Sequence, residues 1–264
     1  KNFDTNFVSA AYGIHFCRSS MQFHRTRCRL GTSTHIAGTG YVIKSRLLKD
    51  GWHYTELTED AEFTQNTLNA GERIIFCEDA EFFDEQPTKF RIMFRQRMRW
   101  AKGGLFVFLK NGWRRLRAIF TQKGAAKKWT NYDLFWYNFP GGLFAALLSG
   151  IAAVAGLIVG ILAGTAVSDA IADVSSWDFY KTILLAAGGA YFYYTVQAAA
   201  VMIRERRHIH CPRAKKVLYV FTFFWFDIIN LPINIVALLQ RVRWKPIPHD
   251  KAFDYNQIVS RGEG

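Results

Sequence analysis

The sequence predicts an α/β polar region followed by interfacial amphipathic helices and transmembrane α-helices. Three observations predict this. Charge is zoned: residues 56–85 hold ten acids and one Arg, residues 89–128 hold thirteen Lys and Arg and no acid, and residues 134–167 hold no charge at all. Helix-like and strand-like segments alternate in residues 1–88, as they do in α/β proteins. Two apolar stretches then reach membrane-spanning length. The 264-residue chain carries a net charge of +13 with 50% hydrophobic residues, which excludes a disordered chain; four Cys in this length exclude a disulfide-stapled miniprotein. A soluble nucleic-acid binder accounts for the basic belt but not for the apolar run beside it, so no nucleic-acid partner is expected.

The polar region spans 1–88. It begins at Lys1 without a signal-peptide pattern and reads as a piece of something longer. Arg25, Arg27 and Arg29 alternate ahead of Gly31, either as a solvated face or as contacts to an anionic ligand. Gly38-Thr39-Gly40 leads into Tyr41-Val42-Ile43, a β-type run. Thr58 is placed to cap a helix from about Glu59 to Ala70, with Gly71 as its stop. Arg73–Cys77 and Glu81–Phe83 read as strands. Thr58-Glu59-Asp60 sits at the mouth of that helix, where a carboxylate serves either as a general base or as a partner of the helix dipole.

The belt, 89–130, has helical logic. Phe90, Phe94, Met98, Ala101, Leu105, Leu109, Trp113 and Leu116 recur at three- and four-residue steps, and basic residues take the other faces. This pattern suits a helix lying on an anionic leaflet, broken or bent at Gly103-Gly104. Gln96, Arg99 and Trp100 share one helical face. An amide, a guanidinium and an indole together suit a ligand with phosphate and sugar, because Arg grips phosphate bidentately and the indole stacks on a sugar ring. The competing reading is a surface helix rich in Arg and Trp.

The membrane region covers 131–240, with expected spans at 134–165 and 182–203 and a third run at 217–240. That third run holds Asp227, Asn230, Pro232 and Asn234, and both its ends are basic. It reads as a re-entrant or interfacial hairpin in preference to a third span, with the polar residues packed within protein or solvated at the interface. The positive-inside rule puts the belt and the basic loop after 203 in the cytoplasm, together with the tail 241–264. His208-Ile209-His210-Cys211 reads as a solvated juxtamembrane loop rather than a metal site.

The order LTEDAEF, FFDEQP, QRMRW and then membrane helices resembles the processive membrane synthases of glycosyltransferase family 2, which include cellulose, chitin, hyaluronan and bacterial poly-N-acetylglucosamine synthases. GTGYVIKSRLL and the terminal WKPIPH are similar to family segments too. The resemblance implies the C-terminal, acceptor-side half of a GT-A type domain (an α/β fold) in the cytoplasm, followed by helices of the cytoplasmic membrane. It implies that Asp60 is the general base, shaped by Glu59 and Thr58, and that Gln96 and Arg99 contact the donor diphosphate. Trp100 would stack under the acceptor sugar, and Gly38, Thr39 and Gly40 would line the acceptor pocket. Trp244, Lys245 and His249 resemble a gating segment in position, although their sequence departs from the better-known gating motifs. The implied partners are a nucleotide sugar (UDP-N-acetylglucosamine or UDP-glucose), a polysaccharide acceptor and membrane lipids. Mg or Mn is the implied cofactor, but no D-x-D precedes the TED triplet. Asp4 and Asp50 are the only Asp residues ahead of Asp60, so the metal ligands are expected outside this chain and the chain alone is expected to be inactive. A non-catalytic membrane scaffold or transport component, or a family enzyme transferring a single sugar to a lipid, are the alternatives.

Overall fold

The computed structural model describes residues 2–164 and 176–243. α1 (Phe7–Ser19) starts at a capping box: Ser9 N–H donates to Asn6 Oδ1 at 3.1 Å and Asn6 N–H donates to Ser9 Oγ at 3.2 Å. A π-helical turn, Ser20–His24, carries it into α2 (Arg25–Arg29). α3 spans Glu59–Asn69, with Glu59, Asp60 and Glu62 in its first turn, where they complement the dipole. Gly71 follows it at φ +81°. The expected Thr58 cap is absent: its hydroxyl makes no cap bond and is buried without a partner.

α4 (Phe90–Thr121) is one continuous helix of 32 residues, so Gly103-Gly104 neither breaks nor ends it. Gly103 instead permits a close approach, since a Cβ there would lie 2.6 Å from Thr58 Cγ2 and Oγ1. α5 (Ala125–Asn138) packs along α4, and buried Arg115 joins three helices by bonding Gln65 Oε1 (2.5 Å), Gln65 O (2.6 Å) and Asn131 Oδ1 (2.7 Å). Pro140 then separates α5 from α6 (Gly141–Ala163), so the first apolar run is divided between two helices. α7 (Trp177–Arg204), α8 (Arg213–Ile228) and α9 (Asn230–Leu239) complete the order.

The α/β expectation is corrected. Among the described residues there is no strand and no sheet, only an isolated bridge between Ala37 and Thr39. A strand exists by pairing, and the strand-patterned runs lack neighbours. Thr34 N–H donates to Ile74 O at 3.0 Å, but Ile74 N–H turns to the Ser33 hydroxyl at 2.9 Å, so pairing stops after one rung. Val42 is 100% exposed, and Phe82 and Phe83 are exposed as well. The GT-A sheet implied by the resemblance is therefore not present in the described residues, which are helices joined by extended loops.

The core forms where α1, the start of α4, the end of α7 and α8 meet, around Tyr12, Ile14, Met93, Val201, Phe223 and Phe226. α6 contributes nothing to it: Leu147, Leu148, Ile151, Val154 and Leu162 all stand exposed. Arg213–Leu239 is long and apolar enough to cross a membrane by length and composition.

Candidate active site

The start of α3 delivers the TED triplet. Thr58 is buried, Glu59 points partly outward, and Asp60 lies just inside the first turn. Asp60 Oδ1 accepts the Ala61 N–H at 2.8 Å, leaving Oδ2 on the side of Gly38, where a Cβ would lie 3.7 Å away. Gly38 also holds φ +81°, a conformation that L side chains rarely adopt, so the turn favours glycine here. Burial raises the Asp60 pKa and the Glu59 charge adds to the rise; the Ala61 N–H and Arg99 pull the other way. The Tyr41 pKa is raised by burial and by the charges of Glu59 and Asp60.

α4 supplies the second set. Arg99 Nη1 donates to Leu57 O at 2.7 Å and lies 3.9 Å from Glu59, tying the helix to the TED loop. Tyr12 Oη donates to Gln96 Oε1 at 2.7 Å, so the amide N–H groups are the part of Gln96 left to meet a ligand. Trp100 is framed by Tyr12 and Phe16 edge-on, each at 6.0 Å, and by His15 nearly parallel at 6.4 Å. It lines a cleft of about 350 Å³ shared with Tyr137, Phe139, Gly142 and Asn234, between α4, the α5–α6 junction and α9.

The structure thus brings Thr58, Glu59, Asp60, Gly38 and Arg99 together, while Gln96 and Trp100 turn toward α1. Thr39 is exposed, and Gly40 is covered by the Phe82 ring. Trp244, Lys245 and His249 lie outside the described residues. Among the described residues, no three His, Cys, Asp or Glu side chains gather as metal ligands, so those present do not fit an Mg or Mn site on their own.

Sequence reasoning missed the first arginine of QRMRW. Arg97 is buried, lies 4.0 Å over the Phe226 ring, donates to Phe226 O and sits 3.5 Å from Asp227. Asp227 also pairs with Arg18 at 2.5 Å and faces His15 at 3.7 Å. The signal was available, because a lone acid inside an apolar run requires a cation. Arg27, expected in a row of solvated or ligand-facing arginines, is instead buried and paired with Asp133 at 2.5 Å, and Arg25 pairs with Glu78 at 2.5 Å. His208 is exposed, in keeping with a solvated loop, and it also contacts Glu81 and Glu205.

The sequence profile of the family described as Glycosyl transferase family group 2 matches residues 2–198 of the 264. The chain belongs to this family. The match includes both the TED triplet and QRMRW. This glycosyl transferase chain is also 33% identical over 111 residues to a probable glycosyltransferase, YdaM, of Bacillus subtilis (strain 168); the alignment covers 41% of this chain and 25% of that protein. The chain spans about a quarter of the length of that curated relative. No solved structure matches.

Proposed function

We propose that this glycosyl transferase chain supplies the acceptor side of an inverting transfer from a nucleotide sugar to a growing polysaccharide at the cytoplasmic face of the membrane. The observation that carries the reading is Asp60, a carboxylate of raised proton affinity with one oxygen turned to Gly38, next to a helix that presents Arg99 and Trp100. Asp60 takes the proton of the acceptor hydroxyl, whose oxygen attacks the anomeric carbon from the face opposite the leaving group. The anomeric bond to the nucleoside diphosphate breaks and the configuration inverts. The Arg99 N–H groups not spent on Leu57, with the Gln96 amide, offer donors to the departing phosphates.

Three features support a membrane setting: the uncharged helix α6 with its row of exposed apolar residues, the long apolar stretch Arg213–Leu239, and a basic helix α4 with exposed Leu109 and Trp113. The cleft beside Trp100 is walled by α9, which offers a sugar chain a place against the apolar helices and supports elongation over single transfer to a lipid. A scaffold has no use for a desolvated carboxylate beside the family signature.

The test is Asp60→Asn in the complete protein reconstituted in membranes and supplied with radiolabelled UDP-N-acetylglucosamine or UDP-glucose. Loss of incorporation with retained folding is expected. Incorporation at wild-type rates would remove Asp60 from the base role.

A further inference from the structure

Behind the cleft lies a relay of side chains that the transfer steps above do not use. It starts at Arg27, whose Nε donates to Asp133 Oδ2 at 2.5 Å. A guanidinium has donors only, so its Nη1, 2.8 Å from His35 Nδ1, makes that ring nitrogen an acceptor. His35 is then a neutral imidazole with its proton on Nε2. Burial, His24 and Arg27 all hold it well below the usual histidine value, in keeping with that state. Nε2 lies 3.1 Å from Tyr137 Oη and donates to it. The Tyr137 oxygen is therefore committed as an acceptor there, and its own O–H must point elsewhere. Among the described residues no hydrogen-bond acceptor receives it.

The ring is held for this purpose. The Arg27 guanidinium sits 4.8 Å from its centroid and Phe23 packs edge-on at 5.5 Å. Tyr137 lines the same cleft as Trp100, so a ligand stacked on the indole comes within reach of the phenol. Sugar sites combine an aromatic face with a few aimed donors.

We infer that the Tyr137 O–H donates to a hydroxyl or ring oxygen of the acceptor sugar resting on Trp100, with His35 as the positioning residue that aims it. The identity of the ligand as a sugar rests on the transferase reading above.

The experiment uses the full-length protein in lipid nanodiscs, with chitopentaose and cellopentaose as acceptor probes. Binding is measured calorimetrically, and sugar transfer is measured in parallel. Tyr137→Phe keeps the ring contacts and removes the donor. It is expected to weaken pentasaccharide binding about three- to tenfold and to raise the acceptor KM to match, with the nucleotide-sugar KM unchanged, as loss of one hydrogen bond predicts. His35→Leu is expected to weaken binding similarly and to add nothing in the Tyr137→Phe background. Unchanged pentasaccharide binding in Tyr137→Phe overturns the inference while leaving the transferase reading intact. So does an equal rise in both KM values, or additive losses in the double variant. If the wild type binds a pentasaccharide through Tyr137 but transfers no sugar from any nucleotide donor, the transferase reading falls and the Tyr137 assignment stands. If it binds neither probe, the Tyr137 assignment falls.

Discussion

Gly103→Ala separates the geometry of the TED triplet from the stability of the fold. A Cβ at this position lies 2.6 Å from two Thr58 atoms, about 0.8 Å short of the 3.4 Å at which ordinary contact begins. Thr58 is buried and β-branched, so the strain cannot be relieved by swinging a flexible side chain; the residue just ahead of Glu59 and Asp60 must move. Overpacking of this kind costs about 1–3 kcal/mol, and replacing glycine inside a helix returns about 1 kcal/mol. The net loss of stability is thus about 0–2 kcal/mol. The displacement of the carboxylates is the larger effect, because a misplacement of about 1 Å can cost on the order of 100-fold in rate. The neighbouring Gly104→Ala meets nothing within 4 Å and gains helix propensity alone, so it calibrates the stability term. The assay pairs thermal unfolding in detergent with initial rates of radiolabelled sugar incorporation by the full-length protein. A Gly103→Ala protein with near wild-type rates would refute the claim that α4 positions the TED loop through this contact.

The Glu59 charge helps raise the Asp60 pKa, so Glu59→Gln lowers it, and the acid limb of the pH–rate curve moves to lower pH in kcat/KM measured across acidic buffers. Asp227→Leu leaves buried Arg97 and half-buried Arg18 without their carboxylate and is expected to cost about 3–5 kcal/mol, read as a fall in the detergent melting temperature. Burial depresses His24 to about 4, below its unfolded value near 6.5, so the unfolded chain binds the proton first as pH falls. The stability this residue contributes is whole above about pH 6.5 and is lost progressively toward pH 4, on the order of 3 kcal/mol, and the slope is smaller in His24→Gln.

How much of this was legible in the sequence depended on whether the signal was local. The helix at Glu59–Asn69 announces itself by three acids and a following glycine, both effects of its own few residues. The strands at 73–77 and 81–83 were misread for the complementary reason. Alternation and β-branched content describe a segment that suits a sheet, but whether a ladder forms depends on a second segment. Ile74 finds one backbone partner and then a hydroxyl. Of the break or bend expected at the glycine pair in α4, the break does not occur: the packing of Thr58 against Gly103 uses the missing side chain while the helix continues. The site was legible where residues sit in one short motif. It was not where chemistry joins distant residues, as in Tyr12 with Gln96 or Arg97 with Asp227.

The third apolar run shows how such distant pairs bear on the membrane arrangement. By composition and length Arg213–Leu239 suits a crossing. Yet its start, middle and end each hold a partner in the polar region or the basic helix: Lys215 pairs with Asp4 at 2.8 Å, Asp227 with Arg18 at 2.5 Å, and Leu238 O accepts from Lys102 at 3.1 Å. A straight crossing would carry one end about 40 Å from the other along the bilayer normal, at 1.5 Å per residue. Lys102 lies on α4 barely more than a turn from Arg97, which faces Asp227, so the run advances alongside the basic helix instead of departing from it. Its apolar faces then meet α7 or stand exposed while its one acid stays neutralised, and a helix pair lying beside the basic helix fits these contacts. That arrangement fixes α9 as a wall of the Trp100 cleft. It would make the Arg97–Asp227 contact the joint through which the signature helix and the membrane helices hold a common register.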